Sequence, residues 1–384
     1  MSNSDSMLRG LRLQWVVATS LYTLGLVVVY LALSAWWGPA QALRWLSLSV
    51  AAAMLILVDL LRGLGLNHRC DETELLPGLG AATALTLTRG LLLAVLAGFL
   101  LLPVPPGTLI WAPSLCYLAA ALLDYADGGV ARATHHSTLL GEKLDTDLDA
   151  LGIAVAPLLA VLYGKIPVIY LIVSLCRYLF AGGIWLLKRQ GRPVYNLTES
   201  ERRRNLAGYQ MGLNVAVLFP FLVPPVTALA ASLFMAPFLV GFVRDWLVVS
   251  GAVDPQSEHY RALALWAERV FYGWLPTLYR AGVGGLFVSF VLTEASASSE
   301  HRVVLILMVV QAVLAVMILA GIFGRLSALG LVAATGLAYS GARLDLPAIA
   351  LAACLILVML FGAGCFALSQ AEDRFLRFHA GAKS

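Results

Sequence analysis

Charge is scarce in this chain. Asp, Glu, Lys and Arg together make up 12% of its 384 residues, 60% are hydrophobic, and the mean hydropathy is +0.85. A soluble domain of this length needs a far more polar surface, so the class is an all-α polytopic membrane protein. Cysteine is sparse and unpaired. Cys70, Cys116, Cys176, Cys354 and Cys365 are scattered through or beside apolar runs, which argues against a disulfide framework and against a zinc site. His259, His301 and His379 fall in loops or the tail, where a solvated imidazole is the expectation. The formal charge of +4 is small, and no nucleic-acid partner is expected.

Apolar runs are what the chain has instead. About 20 apolar residues cross the hydrocarbon core, and about twelve such spans are expected: 15–36, 45–61, 85–102, 109–127, 141–163, 168–187, 208–222, 227–249, 271–292, 303–322, 326–339 and 347–368. Polar segments divide them into residues 1–79 (two spans and a surface segment), 80–251 (a six-span core) and 252–384 (four spans). The polar N-terminus precedes a first span without a small-residue cleavage site, and that span is read as retained. Thr198-Glu-Ser-Glu201 has capping-box spacing for a helix that carries Arg202, Arg203 and Arg204. With the N-terminus in the cytoplasm, the outer loops hold only Arg44, Lys165, Arg302 and Arg343. The remaining basic loop residues lie inside, as the positive-inside rule requires. Both termini and the acidic stretch described next are therefore expected to face the cytoplasm.

Five of the chain's aspartates lie between Asp124 and Asp149. Ionisable residues at a membrane are expensive and point to function. Asp124 and Asp127 share a helix face at the end of the fourth span. Gly128 and Ala131 continue that face with almost no side chain, which leaves room for a ligand. Asp145 and Asp149 share a face at the start of the fifth span, one turn beyond Gly141, and Asp147 points away. Four convergent carboxylates repel one another unless a cation sits among them. All-oxygen ligation suits Mg²⁺ or Mn²⁺, as one ion or two. Arg132, one turn beyond Asp127, offers a fork for phosphate oxygens. Glu142, Asp59, Asp147 and Asp245 are read as ordinary solvated acids.

The pattern Asp124-x-x-Asp127-Gly128-x-x-Ala131-Arg132, eight residues, Gly141-x-x-x-Asp145-x-x-x-Asp149 resembles the signature of the CDP-alcohol phosphotransferases, with all eight fixed positions present. The resemblance covers about residues 80–251. It implies that Asp124, Asp127, Asp145 and Asp149 bind metal, and that Asp149 is also the general base taking the acceptor's proton. It further implies that Gly128, Arg132 and Thr138 contact the CDP moiety, with Ala131 and Gly141 completing the donor site. Thr83-Ala-Leu85-Thr86-Leu-Thr-Arg89 is similar to a second family element that begins with Asn. Thr86 and Arg89 are carried over as nucleotide contacts.

The implied reaction is attack of a polar alcohol on the β-phosphorus of CDP-diacylglycerol, giving phospholipid and CMP. A phosphorylated acceptor such as glycerol or inositol phosphate would meet Arg177 or Arg202–Arg204; the triple arginine fits equally an anchor for anionic lipid. The alternatives are phosphocholine or phosphoethanolamine transfer to diacylglycerol and, from another class, an ion-coupled transporter. The latter would place its acids at the bilayer midplane within inverted repeats. The two N-terminal spans are expected to serve packing or a homodimer contact. Tyr279-Arg280 and Gly321-Ile-Phe-Gly-Arg325 in the last four spans resemble small DoxX-like membrane proteins, and Gly282, Gly284 and Gly285 favour close helix packing.

Overall fold

A computed structural model describes residues 3–69, 72, 74–133, 138–197, 201–295, 302–338, 345–369 and 372. Among them the chain is all helical, with thirteen α-helices and no strand. They pack as two compact units. The first comprises residues 1–164 and 214–220, and the second comprises residues 165–213 and 221–384.

In the first unit, α1 (Asn3–Trp37) and α2 (Pro39–Gly63) form a long hairpin. Its turn is Gly38 at φ +96, a left-handed conformation that glycine adopts without strain, followed by Pro39 in the first turn of α2. The hairpin clasps α3 (Gly80–Ala97) through polar side chains that reach main-chain groups. Trp45 Nε1 donates to Val95 O at 3.1 Å, Tyr22 OH donates to Leu87 O at 2.6 Å, and Leu79 N donates to Gln14 Oε1 at 2.9 Å. Such bonds supply what lipid cannot, because apolar helices in a bilayer gain little from leaving one hydrocarbon surface for another. Small residues permit the approach: a Cβ on Gly90 would lie 2.6 Å from the Tyr22 oxygen. The two N-terminal helices therefore brace the helix that carries Thr86 and Arg89.

Helices α4 (Ala112–Ala133) and α5 (Leu139–Leu162) complete this unit against the other face of α3. Leu93, Ala94, Leu96, Leu144, Leu148, Ala156 and Leu159 of α3 and α5 are buried. Asn67, wholly buried after α2, donates to Leu76 O and Gly78 O at 3.1 and 3.0 Å. That bond pair folds the following segment back towards α3.

The second unit holds α6 (Leu171–Arg189), the first part of α7 (Glu201–Leu218), and α8 (Val226–Val249). It continues with α9 (Glu258–Glu268), α10 (Leu275–Ala295), α11 (Arg302–Ala320), α12 (Gly324–Ala338) and α13 (Leu346–Phe361). One turn of π-helix, Arg269–Trp274, joins α9 to α10. Val283, Ile318, Ala328, Leu331, Leu355 and Val358 form a core among the last four helices. Gly282 and Gly284 face Cys354 Sγ at 3.1 Å and Leu319 Cδ2 at 2.8 Å from an ideal Cβ, whereas Gly285 faces open space. The first two therefore allow close packing and the third is not needed for it.

Among the described residues, six segments are long and apolar enough to cross a membrane: Ser6–Trp37, Pro39–Leu66, Gly80–Ala97, Gly107–Asp127, Val168–Arg189 and Val226–Val249. The protein is thus an integral membrane protein, and the expected total of about twelve spans is not reached on length and composition. The other expected spans do coincide with helices. However, α5 begins with a run of carboxylates and α7 with a polar first half, while α11 and α13 contribute shorter apolar stretches, Ile306–Ala320 and Leu346–Phe361.

Candidate active site

The site is assembled within the first unit by three helices, each for a local reason. On α3, Thr86 and Arg89 are three residues apart and share a face. The end of α4 carries Asp124 and Asp127 on one face. The start of α5 is set by Thr138, a buried residue in extended conformation whose Oγ1 accepts from Gly141 N at 3.1 Å. This is an N-cap bond, and Gly141 makes room for it: a Cβ there would lie 3.3 Å from the same oxygen. Leu139 N also donates to His68 O at 3.1 Å, so the capped end is tied to the segment after α2. The α5 register then presents Asp145 and Asp149 towards α3.

Arg89 is the centre of this arrangement. Its side chain is 3% exposed, and Nη1 lies 2.5 Å from Asp124 Oδ1 and 2.7 Å from Asp145 Oδ1, while Nη2 pairs with Asp149 Oδ1. Asp127 is 7% exposed, and Thr86 Oγ1 lies 3.1 Å from its Oδ2 and 3.0 Å from Ala82 O, so one hydroxyl proton serves either acceptor. One oxygen from each of Asp124, Asp127 and Asp145 falls within 4.8 Å of the other two. That donor set is entirely carboxylate oxygen, which fits a hard divalent cation. Among the described side chains, one buried guanidinium is shared by three carboxylates, a balance that is net negative and suits an added cation.

The outer acids are held apart from it. Asp147 accepts from Lys143 Nζ at 3.2 Å, and the same ammonium pairs with Asp59 of α2. Asp245, read as solvated, is instead 7% exposed, because Arg244 beside it wraps both Nε and Nη2 onto Oδ1 at 3.0 and 2.5 Å. Gly128, Ala131 and Arg132 lie in α4, but their side chains are outside the described set, as are those of Arg202, Arg203 and Arg204 in α7. Thr198 and Cys70 are outside the described residues, so the capping-box reading is not addressed. Arg177 is exposed on α6, in the second unit.

Sequence reasoning did not anticipate that Arg89 binds three of the aspartates, nor that Thr86 bonds the fourth. Their spacing of three signalled a shared face but not what that face would meet.

Fold and site thus define an all-helical integral membrane protein with a carboxylate cluster, built around a buried arginine, that could hold a metal. Residues 79–249, just under half of the chain, match the family model described as CDP-alcohol phosphatidyltransferase. No curated protein and no solved structure matches the chain. The matched region supports a transferase of phosphate-containing groups in phospholipid biosynthesis, with a CDP-alcohol donor and an alcohol acceptor in a membrane.

Proposed function

We propose that the protein is a divalent-metal-dependent phosphotransferase that makes a phospholipid and CMP from CDP-diacylglycerol and a polar alcohol. The observation that carries this reading is the convergence of the Asp124, Asp127 and Asp145 oxygens within 4.8 Å, inside the region that matches the family. Asp124, Asp127, Asp145 and Asp149 would hold Mg²⁺ or Mn²⁺, which when bound neutralises the diphosphate and its leaving oxygen.

The residues divide the remaining work. Asp149 takes the proton from the acceptor hydroxyl as its oxygen bonds the β-phosphorus. The bond from that phosphorus to the bridging oxygen breaks, and CMP leaves with the electron pair. Arg89 and Thr86 hold the carboxylates in register, and Arg132, Gly128, Ala131, Thr138 and Gly141 form the donor side. For these steps positioning, charge neutralisation and one base suffice. Arg177 and Arg202–Arg204 are the candidates for a phosphate on the acceptor. The active site and both termini face the cytoplasm, residues 80–251 act as the catalytic core, and the last four helices are a DoxX-like membrane region.

Purified protein in lipid, supplied with Mg²⁺, CDP-diacylglycerol and a panel of alcohols and alcohol phosphates, should release CMP and yield a lipid whose mass identifies the acceptor. Asp149→Asn should lower kcat by about 10²–10⁴, the range for loss of a general base. Absence of CMP with every donor and acceptor, or undiminished turnover in the variant, would refute the mechanism.

A further inference from the structure

The helix that carries Asp145 and Asp149 is held by residues that precede the family-matched 79–249. Three contacts join α2 and the segment after it to the start of α5. Leu139 N donates to His68 O at 3.1 Å, an ideal Cβ on Gly63 would lie 2.7 Å from Leu140 Cδ1, and Lys143 Nζ pairs with Asp59 Oδ1. As the numbers rise along α5 those of the partners fall, so the two helices run antiparallel here. Lys143 Nζ also pairs with Asp147 at 3.2 Å, one turn further along α5.

Helix geometry turns this contact into a control on the site. Successive side chains leave an α-helix roughly 100° apart, so Lys143 and Asp145, two residues apart, point about 160° away from each other. Asp147 and Asp149 are related in the same way. One side of α5 is thus tied to α2, while the other presents its carboxylates to Arg89. With side-chain ends about 6 Å from the axis, a rotation of about 10° carries a carboxylate oxygen about 1 Å, a displacement that a preorganised site does not tolerate. The Asp59 and Lys143 side chains are 31% and 37% exposed, so water screens the pair and its net contribution to stability is small. Its effect is directional. One ammonium holds together Asp59 and Asp147, two like charges that would otherwise push the helices apart.

We propose that Asp59 and Lys143 are positioning residues that lock the rotation of α5, so that Asp145 and Asp149 meet the cation held with Asp124 and Asp127. This rests on the proposed cation site and deepens it. The N-terminal hairpin then does more than brace α3: through Asp59 it sets the register of two carboxylates on a helix that it does not itself carry. Neither residue touches the reacting atoms, and both act through the direction of α5.

The test measures Mn²⁺ binding by electron paramagnetic resonance on the full chain in nanodiscs. It compares wild type, Asp59→Asn, Lys143→Met and the exchanged pair that combines Asp59→Lys with Lys143→Asp. Each single variant should raise the Mn²⁺ Kd about tenfold, the low end of what loss of a supporting contact costs a metal site. The exchanged pair restores the bridge with its charges reversed and should bring the Kd back to within about threefold of wild type. Thermal midpoints without metal should stay within about 4 °C of wild type, because the pair is screened. With CDP-diacylglycerol and an acceptor, the Mg²⁺ concentration for half-maximal CMP release should rise in parallel with the Mn²⁺ Kd.

Unchanged Mn²⁺ affinity in both single variants overturns the proposal. So does an affinity loss that the exchanged pair fails to recover, which reduces the bridge to an ordinary structural tie. A wild type that binds no Mn²⁺ overturns it together with the cation site. Absence of CMP with every acceptor, alongside a Kd that rises in the single variants and recovers in the exchanged pair, defeats the phosphotransferase reading and leaves the register lock standing.

Discussion

Replacing Arg89 with methionine removes the cation that, among the described side chains, pairs with the site's carboxylates. The variant keeps the apolar stem against α4 and α5 but leaves Asp124, Asp145 and Asp149 facing one another. Breaking a fully buried ion pair costs about 3–5 kcal/mol. Here the guanidinium is 3% exposed, but the carboxylates are 26%, 45% and 37% exposed, so water screens part of the loss. About 2–3 kcal/mol is expected, which for a unit of this size lowers Tm by roughly 4–12 °C.

The same geometry dictates how the loss is repaired. A divalent ion binds only the folded arrangement and stabilises it by mass action, and it supplies the charge that the guanidinium no longer does. Thermal unfolding in nanodiscs should therefore show the full deficit of Arg89→Met in EDTA and less than half of it in millimolar Mg²⁺. Ca²⁺, of equal charge, should also recover part of it, whereas Na⁺ at equal ionic strength should not. A deficit that is the same in EDTA and Mg²⁺, or no deficit at all, would refute the claim that these carboxylates form a cation site organised by Arg89.

Other variants test single contacts. Thr138→Ala removes the cap on Gly141 N and should cost about 1 kcal/mol, seen as a fall in Tm of a few degrees, while Thr138→Ser should retain most of it. Gly141→Ala should also destabilise, because its Cβ would press on the Thr138 oxygen at 3.3 Å; wild-type stability there would mean that the cap is not needed. In the second unit, Arg280 is 5% exposed and donates to Ile318 O at 2.8 Å, Ala363 O at 2.7 Å and Leu319 O. Arg280→Met removes those three bonds and should lower Tm by several degrees, with CMP release per folded molecule unchanged. A selective loss of CMP release would give that arginine a part in the reaction.

Much of this protein was legible in its sequence because the signals are local. Twenty-residue apolar runs mark helices, since a bilayer leaves the backbone no other partner than itself. Aspartates three and four apart share a helix face by the helical period alone, and a Thr followed three residues later by Gly can cap a helix start. From these the all-helical class, the acidic cluster and the suitability for a hard cation follow.

What tertiary structure decided is which faces meet. Arg89 stands 35 residues before Asp124 and 60 before Asp149 in the chain, and no periodicity pairs them. Only the packing of α3 between α4 and α5, braced by the N-terminal hairpin, sets a guanidinium among those acids. Likewise Tyr117 and Asn214 are ordinary helical residues until folding buries them side by side beneath the cluster. Spacing along one helix fixes a direction, but the partner in that direction comes from another helix.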